Sequence, residues 1–272
     1  MITFLLTIVI TAILLITLLT YTLYCYEEAN QSGEPLPRFL AMAGKTLLRS
    51  IVSEALIVLL HPIGLWPRLW NAPTSGKALV VMVHGLFHNQ SAWIMYRRWL
   101  HAHGFATACI AYSSWGTQWE DVVEGVRKDL QSLLDAHPNQ DMHLIGHSMG
   151  GLLLKEALTQ VKDTRKIRSL VTLGTPFAGS KLWPFALTSL GRYLKHEGEN
   201  VRRIKALPIP AHVRCLAIRS PADNMVLPNT ALRCESSGWK EIQTLPVSHV
   251  AMLHAKSIFR ETLDWIQVDS MK

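Results

Sequence analysis

Charge is scarce in this 272-residue chain, at 17% Asp, Glu, Lys and Arg, and none of it falls between Ile2 and Tyr24. A secretory signal needs a basic stretch ahead of its apolar run and a small-x-small cleavage site behind it, and both are missing here. Cysteine is also sparse. Cys25 abuts the apolar run and Cys109 lies in a strand-like segment, so only Cys215 and Cys234 could pair, and only in an oxidising compartment; free buried thiols are the expectation. No internal repeat or low-complexity tract is present. The 27 Lys and Arg outnumber the 20 Asp and Glu, a net charge of +7, but no nucleic-acid motif accompanies the excess. The surplus suits anionic lipid head groups better, and nucleic acid is not expected as a partner.

The uncharged segment is long. At 1.5 Å per residue, Ile2 to Tyr24 extends roughly 34 Å as a helix, slightly more than a hydrocarbon core of about 30 Å. Residues 1–26 are therefore read as an uncleaved, single-pass transmembrane anchor of a cell membrane, with Tyr21, Tyr24 and Tyr26 as an interfacial aromatic belt. The positive-inside rule gives no orientation, because basic residues begin only at Arg38. Residues 27–74 follow as a short linker (27–38, with Gly33, Pro35 and Pro37) and a juxtamembrane helix from Phe39 to Leu60, ended by Pro62. Residues 75–272 remain for one domain, and about 200 residues can bury a single core. Strand signals beginning near Ala78, Thr107, Met142, Ile167, Val213 and Glu241 alternate with helical ones. That pattern predicts an α/β fold, with a sheet of about six mostly parallel strands and helices on both faces.

The chemistry-bearing motifs all lie in that domain. Gly146-His147-Ser148-Met149-Gly150 directly follows the apolar run from Met142 and precedes a helical segment, Leu152 to Val161. This is the context of a nucleophile elbow, in which a turn too tight for side chains lifts a serine hydroxyl above the sheet. Upstream, the strand from Ala78 runs into His84-Gly85-Leu86. Backbone N–H groups of Leu86 and Met149 are the candidates for an oxyanion hole, since developing negative charge needs donors already aimed at it. Downstream, Asp223 and His249 each follow a strand, completing the order nucleophile, acid, base. His84, Gly85, Gly146, His147 and Gly150 are read as support for the two loops. His101 and His103 point in different directions on a helix, so no metal site is expected, and no cofactor. Asp121, Asp129, Asp141 and Asp163 are read as solvated, away from the reactive edge.

With Gly174-Thr175-Pro176, Gly179-Ser180, Val226, Pro228 and Ser248-His249, these residues resemble the bacterial-type lipase and esterase branch of the α/β-hydrolase superfamily over roughly residues 75 to 268. Phe177 departs from the pattern where many lipases carry histidine. The resemblance implies an α/β-hydrolase fold and an acyl-ester hydrolase with a Ser148–His249–Asp223 triad, acting on lipid or acyl esters. Thioesterase, phospholipase and acyltransferase use the same triad, and a catalytically silent membrane binding protein is the alternative of another class. Residues 177–210, basic at Lys181, Arg192, Lys195, Arg202, Arg203 and Lys205, sit where such lipases place a cap or lid. Leu182, Trp183, Phe185, Leu187, Leu190, Tyr193 and Leu194 put apolar residues at helical spacing within it.

Overall fold

The structure, a computed structural model, describes residues 2–70 and 76–268. Six strands form one sheet: β1 (Leu79–Val83), β2 (Ala106–Ile110), β3 (Met142–His147), β4 (Ile167–Leu173), β5 (Arg214–Arg219) and β6 (Trp239–Gln243). Their spatial order is β2-β1-β3-β4-β5-β6, and every pairing is parallel. The chain steps outward from β1 to β2 and then returns to β3. The order therefore reverses between β1 and β3, the position where open parallel sheets open a crevice at their C-terminal ends. The loop after β1 and the turn after β3 flank that crevice.

Two apolar layers cover the sheet, as alternation along the strands requires. Leu79, Val81 and Val83 face a core shared with α4 (Trp119–Ala136), α5 (Met149–Leu158) and α7 (Glu199–Ala206). Val80 and Met82 face the opposite core, shared with α3 (Ile94–Ala102) and α8 (Lys256–Gln267). All five residues of β1 are buried, whereas the edge strand β6 is half open.

The N-terminal region differs from the sequence reading. The first helix, α1, runs from Ile2 to Ser32, through the first half of the expected linker, because no helix breaker occurs before Gly33. Gly33 takes φ 68 and the chain reverses into α2 (Leu36–Leu60). The pair is an antiparallel hairpin. Tyr21 donates to Thr46 Oγ1 at 2.6 Å near the turn, and Thr17 donates to Glu54 Oε2 at 2.6 Å further away. Both α1 and α2 are long and apolar enough to cross a membrane. From Phe4 to Ile16, α1 exposes most of its apolar side chains, but Thr17, Thr20, Tyr21, Tyr24 and Cys25 are buried against protein. Tyr21 and Tyr24 are thus not a lipid-facing belt; of the three tyrosines only Tyr26 is exposed.

The segment 177–210 also departs from expectation. Trp183–Phe185 form a single 3-10 turn that ends where Ala186 leaves helical backbone (φ −85, ψ 87), and the only helices here are α6 (Ser189–Tyr193) and α7. Leu190, Leu194, Val201 and Ile204 fix the segment to the core, while Phe185 and Leu187 are exposed. Its cations are largely paired: Lys181 with Glu27, Arg202 with Glu197 at 3.1 Å, Arg203 with Glu156 at 2.6 Å and Lys205 with Glu235 at 2.7 Å. Phe177 is buried edge-to-face on Trp239, at 5.4 Å between centroids. All four cysteines are free thiols.

Candidate active site

Ser148 occupies the turn between β3 and α5 with φ 54 and ψ −127. A non-glycine residue held there stores on the order of 1–3 kcal/mol, and persists only where its surroundings impose it. Those surroundings are visible. Ser148 N–H donates to Leu173 O at 2.8 Å, and Thr175 Oγ1 donates to Ser148 O at 2.9 Å. A Cβ on Gly146 would stand 2.5 Å from Gly151 Cα, and one on Gly150 would stand 2.2 Å from Val83 O. Both glycines are therefore needed for close approach of backbone, as the elbow reading requires.

The loop after β1 presses on this turn. A Cβ on Gly85 would lie 2.9 Å from Ser148 Cβ and 3.2 Å from His147 Nδ1. His84 is fully buried and stacks on Tyr112 at 4.3 Å; its Nδ1–H donates to Gly85 O at 2.9 Å, and Tyr112 O–H donates to His84 O at 2.9 Å. Burial lowers the His84 pKa to about 4, so the ring is neutral at pH 7 and acts as a fixed hydrogen-bonding brace. In the same loop Phe87 N–H donates to Ser114 Oγ at 2.8 Å and His88 N–H to Gly85 O at 3.3 Å. Leu86 N–H has no acceptor among the described residues. Met149 is the first residue of α5, where an N–H has no acceptor within the helix. The two amides named from sequence thus lie on the two loops that meet at Ser148.

Asp223 is fully buried in the loop after β5. Its Oδ1 accepts from Met225 N–H and Val226 N–H, both at 2.9 Å, and its Oδ2 accepts from His249 Nδ1–H at 2.6 Å. Gly174, with φ 58, packs against this pair: a Cβ there would stand 3.1 Å from His249 Nδ1 and 3.2 Å from Asp223 Oδ2. Leu173, the residue before it, is the one that accepts from Ser148 N–H. His147 closes the arrangement, its ring 4.7 Å from that of His249 and its Nε2–H donating to His249 O at 3.1 Å. Burial, followed by the charge of His249, holds the His147 pKa well below the usual imidazole value. Ser148, Asp223, His249 and every support residue named from sequence therefore gather at one edge of the sheet.

Several residues here carried no sequence signal of their own. Ser220 donates to Val247 O at 2.6 Å and accepts from Val247 N–H at 2.9 Å, stitching the acid loop to the histidine loop. Asn224 Oδ1 accepts from His249 N–H at 3.3 Å. Asn229 Nδ2 donates to Asp223 O at 2.9 Å. His88 stacks parallel to His147 at 5.7 Å, and burial pushes its pKa down to about 3. His101 and His103 bond to Thr107 Oγ1 and Trp99 O. Asp163 pairs with Arg165 and Asp141 with Arg168, both away from this edge.

The chain belongs to the alpha/beta hydrolase family, whose profile matches residues 80–261. It is 22% identical over 134 residues to secreted mono- and diacylglycerol lipase A of Penicillium cyclopium, a match covering 47% of this chain and 40% of that lipase. The same enzyme of Penicillium camembertii matches equally. The chain thus matches less than half the length of these curated relatives. Among solved structures, the mature lipase BlEst2 of Bacillus licheniformis superposes with a TM-score of 0.61 at 15% identity, covering 72% of this chain and 94% of that one. The monoacylglycerol lipase of Paleococcus ferrophilus gives a TM-score of 0.53 at 16% identity, covering 72% and 97%. Both share the fold described above.

Proposed function

We propose that this protein is a membrane-tethered serine hydrolase that cleaves carboxylic esters, lipid esters in particular. The observation that carries the reading is the buried 2.6 Å bond from His249 Nδ1–H to Asp223 Oδ2, set beside a serine in a strained elbow. With Nδ1–H committed to Asp223, the His249 Nε2 lone pair is free to take the Ser148 proton as Oγ attacks the ester carbonyl. Leu86 N–H and Met149 N–H stabilise the tetrahedral oxyanion, and the positive end of α5 adds to them. Collapse expels the alcohol, which takes its proton from His249. Water then repeats the sequence on the acyl-Ser148 ester and releases the acid.

Three features support lipid as the substrate class. The exposed apolar part of α1, residues 4–16, rises roughly 20 Å, less than a hydrocarbon core of about 30 Å, so a spanning α1 draws the domain down to the head groups. Phe87 and Trp115 form an exposed aromatic pair at 5.3 Å beside the oxyanion loop, and Phe185 and Leu187 are exposed on the cap. A groove of about 570 Å³ beside the turn after His249 is walled by Leu48, Val52, Leu56, Val247 and Ala251, with Arg49 and Lys256 also lining it. The curated relatives are lipases by name.

The test is hydrolysis of acetyl to palmitoyl esters by full-length protein, with Ser148→Ala beside wild type. Each buried methylene contributes about 0.8 kcal/mol, so four extra carbons can raise kcat/KM on the order of a hundredfold. Ser148→Ala should fall to background. A variant retaining more than about a tenth of wild-type turnover refutes the nucleophile, and a maximum at acetyl refutes the lipid substrate.

A further inference from the structure

We infer that the C-terminal half of α1 positions the acid and base of the active site, so that the helix read as a tether is also a working part of the catalytic machinery. The inference rests on the hydrolase reading above. Thr20, Tyr24 and Glu28 are spaced four residues apart, which places them on one face of the helix. Each grips the Asp223 loop at a different point. Thr20 Oγ1 accepts from Asn224 Nδ2–H at 2.8 Å, Tyr24 O–H donates to Pro221 O at 2.7 Å, and Glu28 Oε1 accepts from Asn229 N–H at 2.7 Å.

Two of these contacts lead directly to the reacting pair. Asn224 passes the constraint on, since its Oδ1 accepts from His249 N–H at 3.3 Å. Asn229 does the same on the other side, with its Nδ2–H on Asp223 O at 2.9 Å. The loop is thereby fixed between α1 and the histidine whose geometry decides proton transfer. The partners are buried, with Tyr24 0%, Asn224 1% and Thr20 7% exposed. A lost bond therefore leaves an unpaired polar atom that water cannot reach. A helix serving only as a lipid anchor has no use for this stripe. α2 secures it from behind, with Thr46 accepting from Tyr21 O–H and Glu54 accepting from Thr17 and Ser50.

The experiment compares full-length variants in dodecyl maltoside micelles, using p-nitrophenyl butyrate. Thr20→Val keeps the side-chain volume and removes the acceptor; Tyr24→Phe removes one donor. Because small misplacements of a catalytic group cost up to about a hundredfold, each is expected to lower kcat about tenfold, with KM within about twofold. The acid limb of the kcat–pH profile should move as well, since the environment of His249 changes. Thr20→Ser, which restores the acceptor, should return kcat to within about twofold of wild type. Replacing residues 3–16 by an unrelated apolar helix of equal length should leave kcat within about twofold, which separates positioning from tethering. Thr20→Val and Tyr24→Phe both at wild-type kcat, a loss that Thr20→Ser does not restore, or an equal loss on replacing residues 3–16, each overturns the inference. Wild-type protein inactive on every ester refutes the hydrolase reading instead.

Discussion

Replacing Asp223 with Asn tests the proton bookkeeping of the site with almost no change in shape. The structure fixes which way the new amide points. Oδ1 accepts two backbone N–H bonds, from Met225 and Val226 at 2.9 Å each. A side-chain NH2 turned toward those donors would forfeit both bonds and face donor against donor, at about 1–3 kcal/mol for each unpaired group. The amide oxygen therefore keeps the Oδ1 position, and the NH2 group faces His249 Nδ1. That nitrogen must then accept, so the imidazole proton moves to Nε2, where it blocks removal of the Ser148 proton. A wrong tautomer of this kind lowers kcat by about ten-thousandfold, or about 5.5 kcal/mol of transition-state stabilisation. The assay is kcat on a short-chain ester at pH 7.5, with a denaturation curve on the same sample. The unfolding midpoint should stay close to wild type, because the hydrogen bonds to Oδ1 survive. A folded Asp223→Asn protein with more than about a tenth of wild-type kcat refutes the assignment of Asp223 as the orienting acid.

Gly150→Ala should cost both stability and activity. Its Cβ would stand 2.2 Å from Val83 O and 2.6 Å from His84 O, backbone atoms that cannot swing aside. Overpacking of this kind costs about 1–3 kcal/mol, and the loop it displaces carries Leu86 N–H, so kcat should fall about a hundredfold. Gly125→Ala, in α4 with no heavy atom within 4 Å of the added carbon, should instead be neutral or stabilising by up to about 1 kcal/mol; a similar penalty at both sites would refute the packing argument. Stability should also fall with acid in a defined window. His84 has its pKa lowered from 6.5 to about 4 by burial, so below pH 6.5 the unfolded chain binds a proton that the folded chain refuses. Its contribution is full above about pH 6.5 and is lost as pH falls toward 4, on the order of 3 kcal/mol, with His147 shifted in the same direction. Urea midpoints that stay flat between pH 7 and 4.5 would contradict this.

The tight turn at Ser148 was legible in sequence because its determinants are local. Gly146, Ser148 and Gly150 lie within five residues, and the steric demand of one turn fixes their types. The strands were legible for a similar reason: β1, buried on both faces, is a continuous apolar run, and β3 is buried throughout with Leu144 and Ile145 at its centre. The apolar spacing over Leu182 to Leu187 suggests a helix, but that stretch folds as one short 3-10 turn ended at Ala186. The pairing of the basic residues in 177–210 was not legible, because Arg203 finds Glu156 from 47 residues away, a pairing no local pattern displays.

The N-terminal helix was the hardest segment, for a physical reason. Hydropathy measures how poorly a segment is solvated by water, and that quantity is nearly the same whether lipid or protein covers it. What separates the two is where the hydroxyls fall. In lipid, a threonine can satisfy its hydroxyl on its own helix, as Thr7 does with Thr3 O at 2.9 Å and Thr22 with Leu18 O at 2.8 Å. Thr20 also bonds within the helix, to Thr17 O at 3.0 Å, yet its oxygen still accepts from Asn224, 204 residues away. Thr17, Thr20, Tyr21, Tyr24 and Glu28 follow i, i+3, i+4, i+7 and i+11, a helical stripe of polar groups inside an apolar segment. Read as spacing, the stripe marks a docked face. Read as composition, it disappears into the hydropathy of its neighbours, which is how two buried tyrosines came to resemble a membrane belt.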